Sequence, residues 1–259
     1  PNWRSSSIRT YRSNTMTTTP KPVAMSIMAH PDDAEFSSTG TLLTWINEGY
    51  DAYICVITDA SAGGSDDATD LSPAARQVTV DTRKKEQAEA GRILGLKGVI
   101  HLDYPDGRLY PTLQLRKDLV RVLRTYKPTR LICQSPERFW GTPLGIARYH
   151  PDHIAAGTAV LAAAYPASQN PWDFPELMTE EGLKPHKVKE IFVVGSPVPN
   201  IGIEISAVFE TKLAALHAHA SQVGAVNPEL DKRMRDWAVE LGERFDMPMA
   251  EIFHRTENP

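Results

Sequence analysis

The chain has 259 residues, of which 41% are hydrophobic and 23% are charged, a composition that suits one substantial globular domain. Its formal net charge is -4 at pH 7, and it carries no basic stripe and no long run of like charge, which argues against nucleic acid or an anionic membrane as the main partner. No apolar run approaches the roughly 18 residues of a membrane span, so we expect no membrane partner and a small molecule as the ligand.

Residues 1–22 are expected to form a leader outside the fold. The first fifteen, PNWRSSSIRTYRSNT, are rich in Ser and Arg and contain no acid, and they precede Met16 with its natural-looking start, MTTTPKP. An organelle-targeting segment has this composition, but the leader lacks helical apolar periodicity, which favours appended or read-through sequence ahead of Met16.

Beyond Pro22, short apolar runs alternate with longer amphipathic stretches, a pattern typical of strand–helix–strand units around a sheet. The apolar runs predict strands near 23–29, 52–58, 98–102, 130–134 and 189–194. The amphipathic stretches predict helices at 39–49, 72–95, 112–128, 154–164, 206–223 and 228–245, before a short AEIFHR segment. The sequence therefore predicts the α/β class, with a Rossmann-like, mostly parallel sheet flanked by helices in a single domain over 23–259.

The two cysteines, Cys55 and Cys133, each lie inside one of the predicted strands. This usage fits neither a disulfide framework nor a cysteine-based metal site, and it is typical of buried free thiols in a reducing compartment. We therefore expect a cytoplasmic protein.

Residues 29–35, AHPDDAE, place an imidazole and three carboxylates directly after the first predicted strand. An ordinary turn can have this composition. Ligands of open α/β sheets, however, bind at the carboxyl ends of strands, and Pro31 biases His30 toward an extended backbone, so that Asp32 and Asp33 turn over the strand end. The following SSTGTL has one Gly where a dinucleotide fingerprint needs three, which argues against a nicotinamide or flavin enzyme.

A second cluster, RYHPDHIAAG at 148–157, repeats the His-Pro-Asp order and adds His153 on the same first helical turn. With His30 and Asp33, this histidine completes a two-histidine, one-carboxylate set that leaves a position open for water on a Zn2+ ion. Helix capping is the alternative for the other polar residues of the cluster, but the two motifs together favour a metal site. The acid–base groups available to such a centre are Asp32, His150 and Asp152.

On these motifs the chain resembles the LmbE-like, or PIG-L, zinc-dependent deacetylases, from about Val23 to Arg255. The resemblance extends to an Arg-x-x-Glu helix in DTRKKEQAEAGRILG, to YPDGRL and to the tail segment KLAALHAHASQ. It implies removal of an N-acyl group from an amino sugar or a related small amide, with an N-acylated sugar as the partner, and it leaves a homo-oligomer open. Zn2+ is the implied cofactor, although a site with a carboxylate also tolerates Fe2+, Co2+ or Ni2+.

The resemblance also implies a role for each site residue. The metal ligands would be His30, Asp33 and His153. Asp32 would be the general base and then the acid, while His150 would stabilise the oxyanion with Asp152 orienting it. The residues facing the substrate would be Arg83 and Asp106, joined by Arg148, which stands where some relatives carry a tyrosine. Where many members have a fifth motif residue Glu, this chain has Ala34, and Glu35 follows.

Several alternatives remain open at this stage. An amidase acting on a thiol conjugate and a binding module without turnover both fit the motifs. Arg83 also suits a surface pair with Glu86 one helical turn away, and Asp106 suits the tight PDG turn. The loop 59–73 fits a solvated loop as well as a lid, the aromatic residues Phe139 and Trp140 fit packing as well as stacking on a sugar, and structural roles are expected for His217 and His219.

Overall fold

The computed structural model describes residues 20–65, 67–138 and 149–258 of the chain. Its strands are β1 (Val23–Met28), β2 (Asp51–Thr58), β3 (Gly98–Tyr104), β4 (Arg130–Gln134), β5 (Glu190–Val194), β6 (Ile201–Glu204) and β7 (Ala250–Glu257). They form one sheet in the order β3-β2-β1-β4-β5-β7-β6. The first five strands are mutually parallel, and β7 runs antiparallel to both of its neighbours. The predicted α/β fold with a mostly parallel sheet is confirmed.

Several helices begin and end close to the residues that the sequence signals. They are α1 (Asp33–Ser37), α2 (Thr39–Asn47), α3 (Pro73–Leu94), α4 (Leu113–Tyr126), α5 (Pro151–Ala162), α6 (Pro175–Thr179), α7 (Phe209–His217), α8 (Ala220–Val223) and α9 (Pro228–Glu243). At the start of α3 the Ser72 hydroxyl accepts a hydrogen bond from the Ala75 amide, and α3 ends at Gly95 in the left-handed conformation. Among the described residues, no helix combines the length and the apolar character needed to cross a membrane.

The tail departs from the prediction in two places. The helix expected over 206–223 is broken into α7 and α8, and the break turns the His219 ring into the interior, where it is fully buried. The segment AEIFHR lies in β7, which pairs with the unpredicted strand β6. With four residues, β6 is too short to display a period in the sequence.

Each face of the sheet is covered by helices. Along β1, Ala24 and Met28 pack into the core on one face, against Leu42 and Trp45 of α2, while Ile27 packs with α4 and α5 on the other. The strands β2 and β3 lie on one side of β1, and β4 and β5 lie on the other. The gap between the ends of β1 and β4 is therefore the point at which the strand order reverses, where ligands of such sheets bind.

Lys212 of α7 fixes the short helix α1 through a buried network. Its ammonium group donates hydrogen bonds to the backbone carbonyls of Glu35 and Phe36, at 2.7 and 3.1 Å, and to the carboxylate of Glu251, at 2.7 Å. The Glu251 carboxylate accepts two further hydrogen bonds, from the first amides of α2, those of Gly40 and Thr41. Because each buried charge has several partners, this ion pair can hold α1 and α2 against the C-terminal elements.

Gly157 brings α5 against the end of β4. A Cβ at this position would overlap the carbonyl oxygen of Gln134 and would lie 2.9 Å from the nitrogen of Pro136. Only glycine permits this approach without displacing the helix that carries His153.

We expect Gly157→Ala to lower the free energy of unfolding by about 1–3 kcal/mol, because the added methyl overpacks a backbone contact. Urea denaturation provides the measurement. Thr158→Ala, at the next and exposed position of the same helix, should stay within about 0.5 kcal/mol of the wild type. Equal unfolding free energies for the two variants would contradict the close approach.

Candidate metal centre

The first motif lies at the reversal point of the sheet. His30 follows the end of β1, and Gln134 is the last residue of the neighbouring strand β4. The Gln134 amide has a fixed orientation, because its oxygen accepts from the Ala29 backbone amide at 3.0 Å. Its nitrogen therefore donates to Asp33 Oδ2, also at 3.0 Å. A polar side chain at the end of β4 thus positions a carboxylate from the first motif.

Asp32 turns the chain over the strand end in the left-handed conformation, with a φ of 83°. This region is uncommon for residues other than glycine and is tolerated best by Asn and Asp. The backbone amide of Asp32 donates to Gln87 Oε1 at 3.3 Å. Arg83 Nη2 donates to Asp32 Oδ2 at 3.1 Å and to the Pro31 carbonyl at 2.8 Å. Two side chains of α3 therefore hold this turn.

Donor atoms of three residues converge beside the turn. His30 Nδ1 lies 3.2 Å from His153 Nε2 and 3.4 Å from Asp33 Oδ2, and His153 Nε2 lies 3.1 Å from Asp33 Oδ1. Tetrahedral zinc ligands at about 2.0–2.1 Å from the ion are about 3.3–3.4 Å from one another. The spacing and chemistry of His30, Asp33 and His153 therefore fit a metal ion.

The hydrogen bonds of His30 and Asp33 leave one atom of each side chain available to bind a metal ion. Two carboxylates face His30 Nε2, Asp106 at 3.0 Å and Asp152 at 3.3 Å, which places the ring proton on Nε2 and the lone pair on Nδ1. Asp33 Oδ2 accepts from the His30 amide and from Gln134, so Oδ1 is the oxygen left for a metal. This is the carboxylate–histidine support that metal-binding histidines ordinarily have.

The two carboxylates behind His30 also tie loops to the site. Asp152 is buried and accepts from the amides of Gly107 and Leu109, at 2.8 and 3.2 Å. Asp106 Oδ2 accepts from the Ala62 amide at 3.0 Å. The loop after β2 and the loop after β3 are therefore both fastened to the same histidine.

Asp152 contacts His150 through its backbone amide and not through its carboxylate. The Asp152 carboxylate hydrogen-bonds His30 rather than His150, because two amides draw it into the fold. His150 Nδ1 instead accepts from the Asp152 backbone amide at 3.2 Å and caps α5. The His150 ring nevertheless lies against the site, with its centroid 4.7 Å from that of His30 and 5.2 Å from that of His153.

The charges at the site shift several pKa values. Burial lowers the pKa of His30, but hydrogen bonds to the surrounding carboxylates outweigh burial and raise this pKa to about 12. Burial, followed by the charge of Asp33, raises the pKa of Asp32 to about 7, against the opposing effect of Arg83. Burial, followed by the two neighbouring histidines, lowers the pKa of His150. In the absence of a metal, Arg83 and a protonated His30 thus face four carboxylates, and a bound cation that replaced the Nδ1 proton of His30 would be stabilised by the same excess of negative charge, carried by Asp32, Asp33, Asp106 and Asp152.

Of the remaining residues that the sequence predicts for the site, Arg83 lies at the site. Arg83 is buried against Asp32, whereas Glu86 accepts two hydrogen bonds from Ser221 at 2.7 Å, so the alternative Arg83–Glu86 pair does not form. Arg148 lies outside the described residues, as do Phe139 and Trp140. Sequence reasoning missed Gln134, although a polar residue at the end of a predicted central strand was a signal for it.

Two further groupings of nearby donor atoms occur among the described residues, and both include His30 while neither includes Asp33. One joins it to His150 and His153, and the other joins it to Asp106 and Asp152. His30 is therefore the residue on which the whole cluster converges.

The chain is similar to several known proteins. Residues 25–164 match the PIG-L family, described as GlcNAc-PI de-N-acetylase. A diacetylchitobiose deacetylase of Thermococcus kodakarensis is 31% identical over 196 residues, which cover 76% of this chain and 68% of that protein. A probable N-acetyl-alpha-D-glucosaminyl L-malate deacetylase 2 of Bacillus anthracis is 28% identical, over 84% of this chain and 88% of that protein.

The solved structure of N,N'-diacetylchitobiose deacetylase from Pyrococcus horikoshii is similar to the fold, with a TM-score of 0.78 and 25% identity. The similarity covers 91% of this chain and 84% of that one. The chain belongs to the PIG-L, or LmbE-like, family, and the resemblance found in its motifs is confirmed. Its relatives are named as enzymes that remove acetyl groups from amino sugar derivatives.

We expect the purified protein to bind one divalent metal ion per chain, and His30→Ala and His153→Ala each to weaken that binding by at least about 100-fold, because each removes a donor nitrogen. Metal analysis after dialysis provides the measurement. His254→Ala is the matched control, because His254 lies on β7, three strands away from β1. Full occupancy in both site variants would refute the assignment.

Proposed function

We propose that this chain is a zinc-dependent deacetylase that removes the N-acetyl group from an amino sugar derivative. The observation that carries the proposal is the convergence of three side chains, in which His153 Nε2 lies 3.2 Å from His30 Nδ1 and 3.1 Å from Asp33 Oδ1. Beside them stands a separate carboxylate, that of Asp32, which a site that only bound a metal would not need.

The names of the relatives support the substrate class. They act on diacetylchitobiose, on an N-acetylglucosaminyl malate and on an acetamido-deoxyglucopyranoside of inositol. These compounds differ in the group attached to the sugar and share the N-acetylated amino sugar. We therefore infer that this chain recognises that shared part, and we leave the attached group to experiment.

When bound, the metal ion would polarise the amide carbonyl and lower the pKa of a coordinated water toward about 7. His30, Asp33 and His153 would hold the ion. Zinc suits two imidazoles and a carboxylate, and Fe2+, Co2+ or Ni2+ would also be accepted by this donor set.

Asp32 would move the proton. Because Arg83 holds Oδ2, we assign proton transfer to Oδ1, which would take a proton from the attacking water and deliver it to the leaving nitrogen. Burial and the charge of Asp33 raise the pKa of Asp32 above its usual range, the direction that suits a carboxyl group which both accepts and donates a proton.

His150 would donate to the developing oxyanion. Its Nδ1 accepts a hydrogen bond from a backbone amide, which can only donate, so the ring proton of the neutral imidazole is on Nε2. An Nε2–H donor aimed at the substrate oxygen is a form of preorganised stabilisation worth about 10² to 10³ in rate. Asp152 contributes through its backbone amide, which fixes this tautomer, and through its carboxylate on His30.

Arg83 and Asp106 would affect the substrate through their neighbours. Arg83 holds the base, and Asp106 holds His30, so substitution of either would alter the reacting groups as well as any direct contact. We retain Arg148 as a proposed substrate contact, since its guanidinium would offer several donors to a sugar. We also propose a cytoplasmic location, which two buried free thiols, Cys55 and Cys133, support.

Asp32→Asn is expected to lower kcat by about 10² or more while metal content stays at the wild-type level, because the amide keeps the shape of the side chain and cannot accept the proton. Steady-state acetate release and metal analysis on the same sample provide the measurement. Asp236→Asn, on the exposed face of α9, is the matched control and should have wild-type kinetics. Near-normal turnover by Asp32→Asn would remove its role as base.

The substrate class is tested with a panel of amides offered to the zinc-loaded protein. We expect acetate release from at least one N-acetylglucosamine derivative, and at least about 100-fold lower kcat/KM for N-acetyl amino acids, a preference that requires polar contacts to the sugar hydroxyls. Turnover confined to the amide of a thiol conjugate would establish the amidase alternative. No turnover of any amide by fully loaded protein would establish a binding module.

A further inference from the structure

A chain of buried polar side chains lies behind the backbone of Asp32. Gln87, on α3, is 1% exposed, and its Oε1 accepts from the Asp32 amide at 3.3 Å. Its Nε2 donates to Glu35 Oε1 at 2.9 Å. Because a backbone amide can only donate, the contact with Asp32 fixes which end of the Gln87 side chain faces Glu35. Gln87 thus links the backbone amide of Asp32 to the buried carboxylate of Glu35.

The second oxygen of that carboxylate faces a histidine from the tail of the chain. Glu35 Oε2 lies 3.6 Å from His219 Nε2, and both side chains are fully buried. Among the described residues, neither Glu35 Oε2 nor either ring nitrogen of His219 has a hydrogen-bond partner. Burial of polar atoms without such partners is costly, so their retention here needs a reason.

His219 is held in place by its own backbone and by its neighbours. Its carbonyl accepts from the amides of Gln222 and Val223, at 2.9 and 3.0 Å, so His219 is the N-cap residue directly before α8. Two residues further on, Ser221 donates twice to Glu86 of α3, the helix that also carries Gln87. The contact between Ser221 and Glu86 therefore joins the tail to α3 beside the buried cluster.

We propose that Gln87, Glu35 and His219 form a positioning relay that holds Asp32 in the orientation its role as base requires. The proposal rests on the proposed function of Asp32. The relay residues do not contact the substrate, and they act through the Asp32 amide and its left-handed backbone. His219 lies outside the matched residues 25–164, so a positioning element of the site comes from the C-terminal part of the chain.

Gln87→Met tests the first link. Methionine fills a similar volume and cannot accept from the Asp32 amide, so we expect kcat to fall between about 10- and 100-fold, as misplacement of a reacting group by about 1 Å can do. KM and metal content should stay within about twofold of wild type, since the ligands and the substrate contacts remain. Gln77→Met, on the exposed face of the same helix, makes the same chemical change and should have wild-type kinetics.

Conservative variants test the other two links. Glu35→Gln keeps an oxygen that can accept from Gln87, whereas Glu35→Leu does not. We therefore expect the leucine variant to reproduce the kcat loss of Gln87→Met and the glutamine variant to recover most of it. His219→Phe keeps the ring and removes both nitrogens, and it should lower kcat with KM unchanged. Equal loss in Glu35→Gln and Glu35→Leu would overturn the link through Glu35.

A readout independent of turnover separates this proposal from the proposed function. We expect hydrogen exchange of the Asp32 amide, followed by NMR, to be at least tenfold faster in Gln87→Met than in Gln77→Met. In the Asp32→Asn background, Gln87→Met should cause no further loss of kcat, because the two changes act on one group.

The outcomes are distinguishable. If the wild type hydrolyses no amide while the Asp32 amide still exchanges faster in Gln87→Met than in Gln77→Met, the proposed function is refuted. The relay then remains as the element that holds the Asp32 turn. An active wild type in which Gln87→Met changes neither exchange nor kcat would overturn the relay. Additive kcat losses in Gln87→Met with Asp32→Asn would assign Gln87 a general structural role and would likewise overturn it.

Discussion

The pairing of His30 Nε2 with the carboxylates of Asp106 and Asp152 is the interaction on which the site depends. It determines which ring nitrogen is available to a metal, and through the amides bound to the two carboxylates it determines where the loops after β2 and β3 lie. The remaining donors then follow from the fold, because Asp33 continues the same turn and His153 is carried on α5 at the neighbouring strand end. A single imidazole thus joins the sheet, two loops and the second motif.

The strand order determines where the site lies, and hydrogen bonds between side chains far apart in sequence hold its residues in position. Gln134 at the end of β4 positions Asp33. From α3, Arg83 holds the carboxylate of Asp32 and Gln87 holds its backbone amide. Each carboxylate of the first motif therefore has a partner from another element. Such support limits the motion of the reacting groups and removes the need for them to reorganise during reaction.

The sheet could be predicted from the sequence because its central strands are continuous apolar runs, and the gathering of His30, Asp33 and His153 could be predicted because both motifs follow strand ends. The partners of Asp152 and of Arg83 could not, since each contact joins residues more than 40 positions apart and leaves no local pattern. The break before His219 was also missed, because KLAALHAHASQV has helical periodicity throughout and only the burial of the histidine interrupts it.

The hydrogen bonds of Lys212 have a consequence for how such chains can diverge. Lys212 joins the carbonyls of Glu35 and Phe36 to Glu251 on the last strand, so the segment that carries the first motif rests on residues about 180 and 215 positions later. The C-terminal third is therefore not an independent appendage that could be exchanged freely between relatives. A chimaera that took this third from another member would have a different partner for α1. Only joint exchange of these interacting positions would keep the C-terminal third compatible with the rest of the chain.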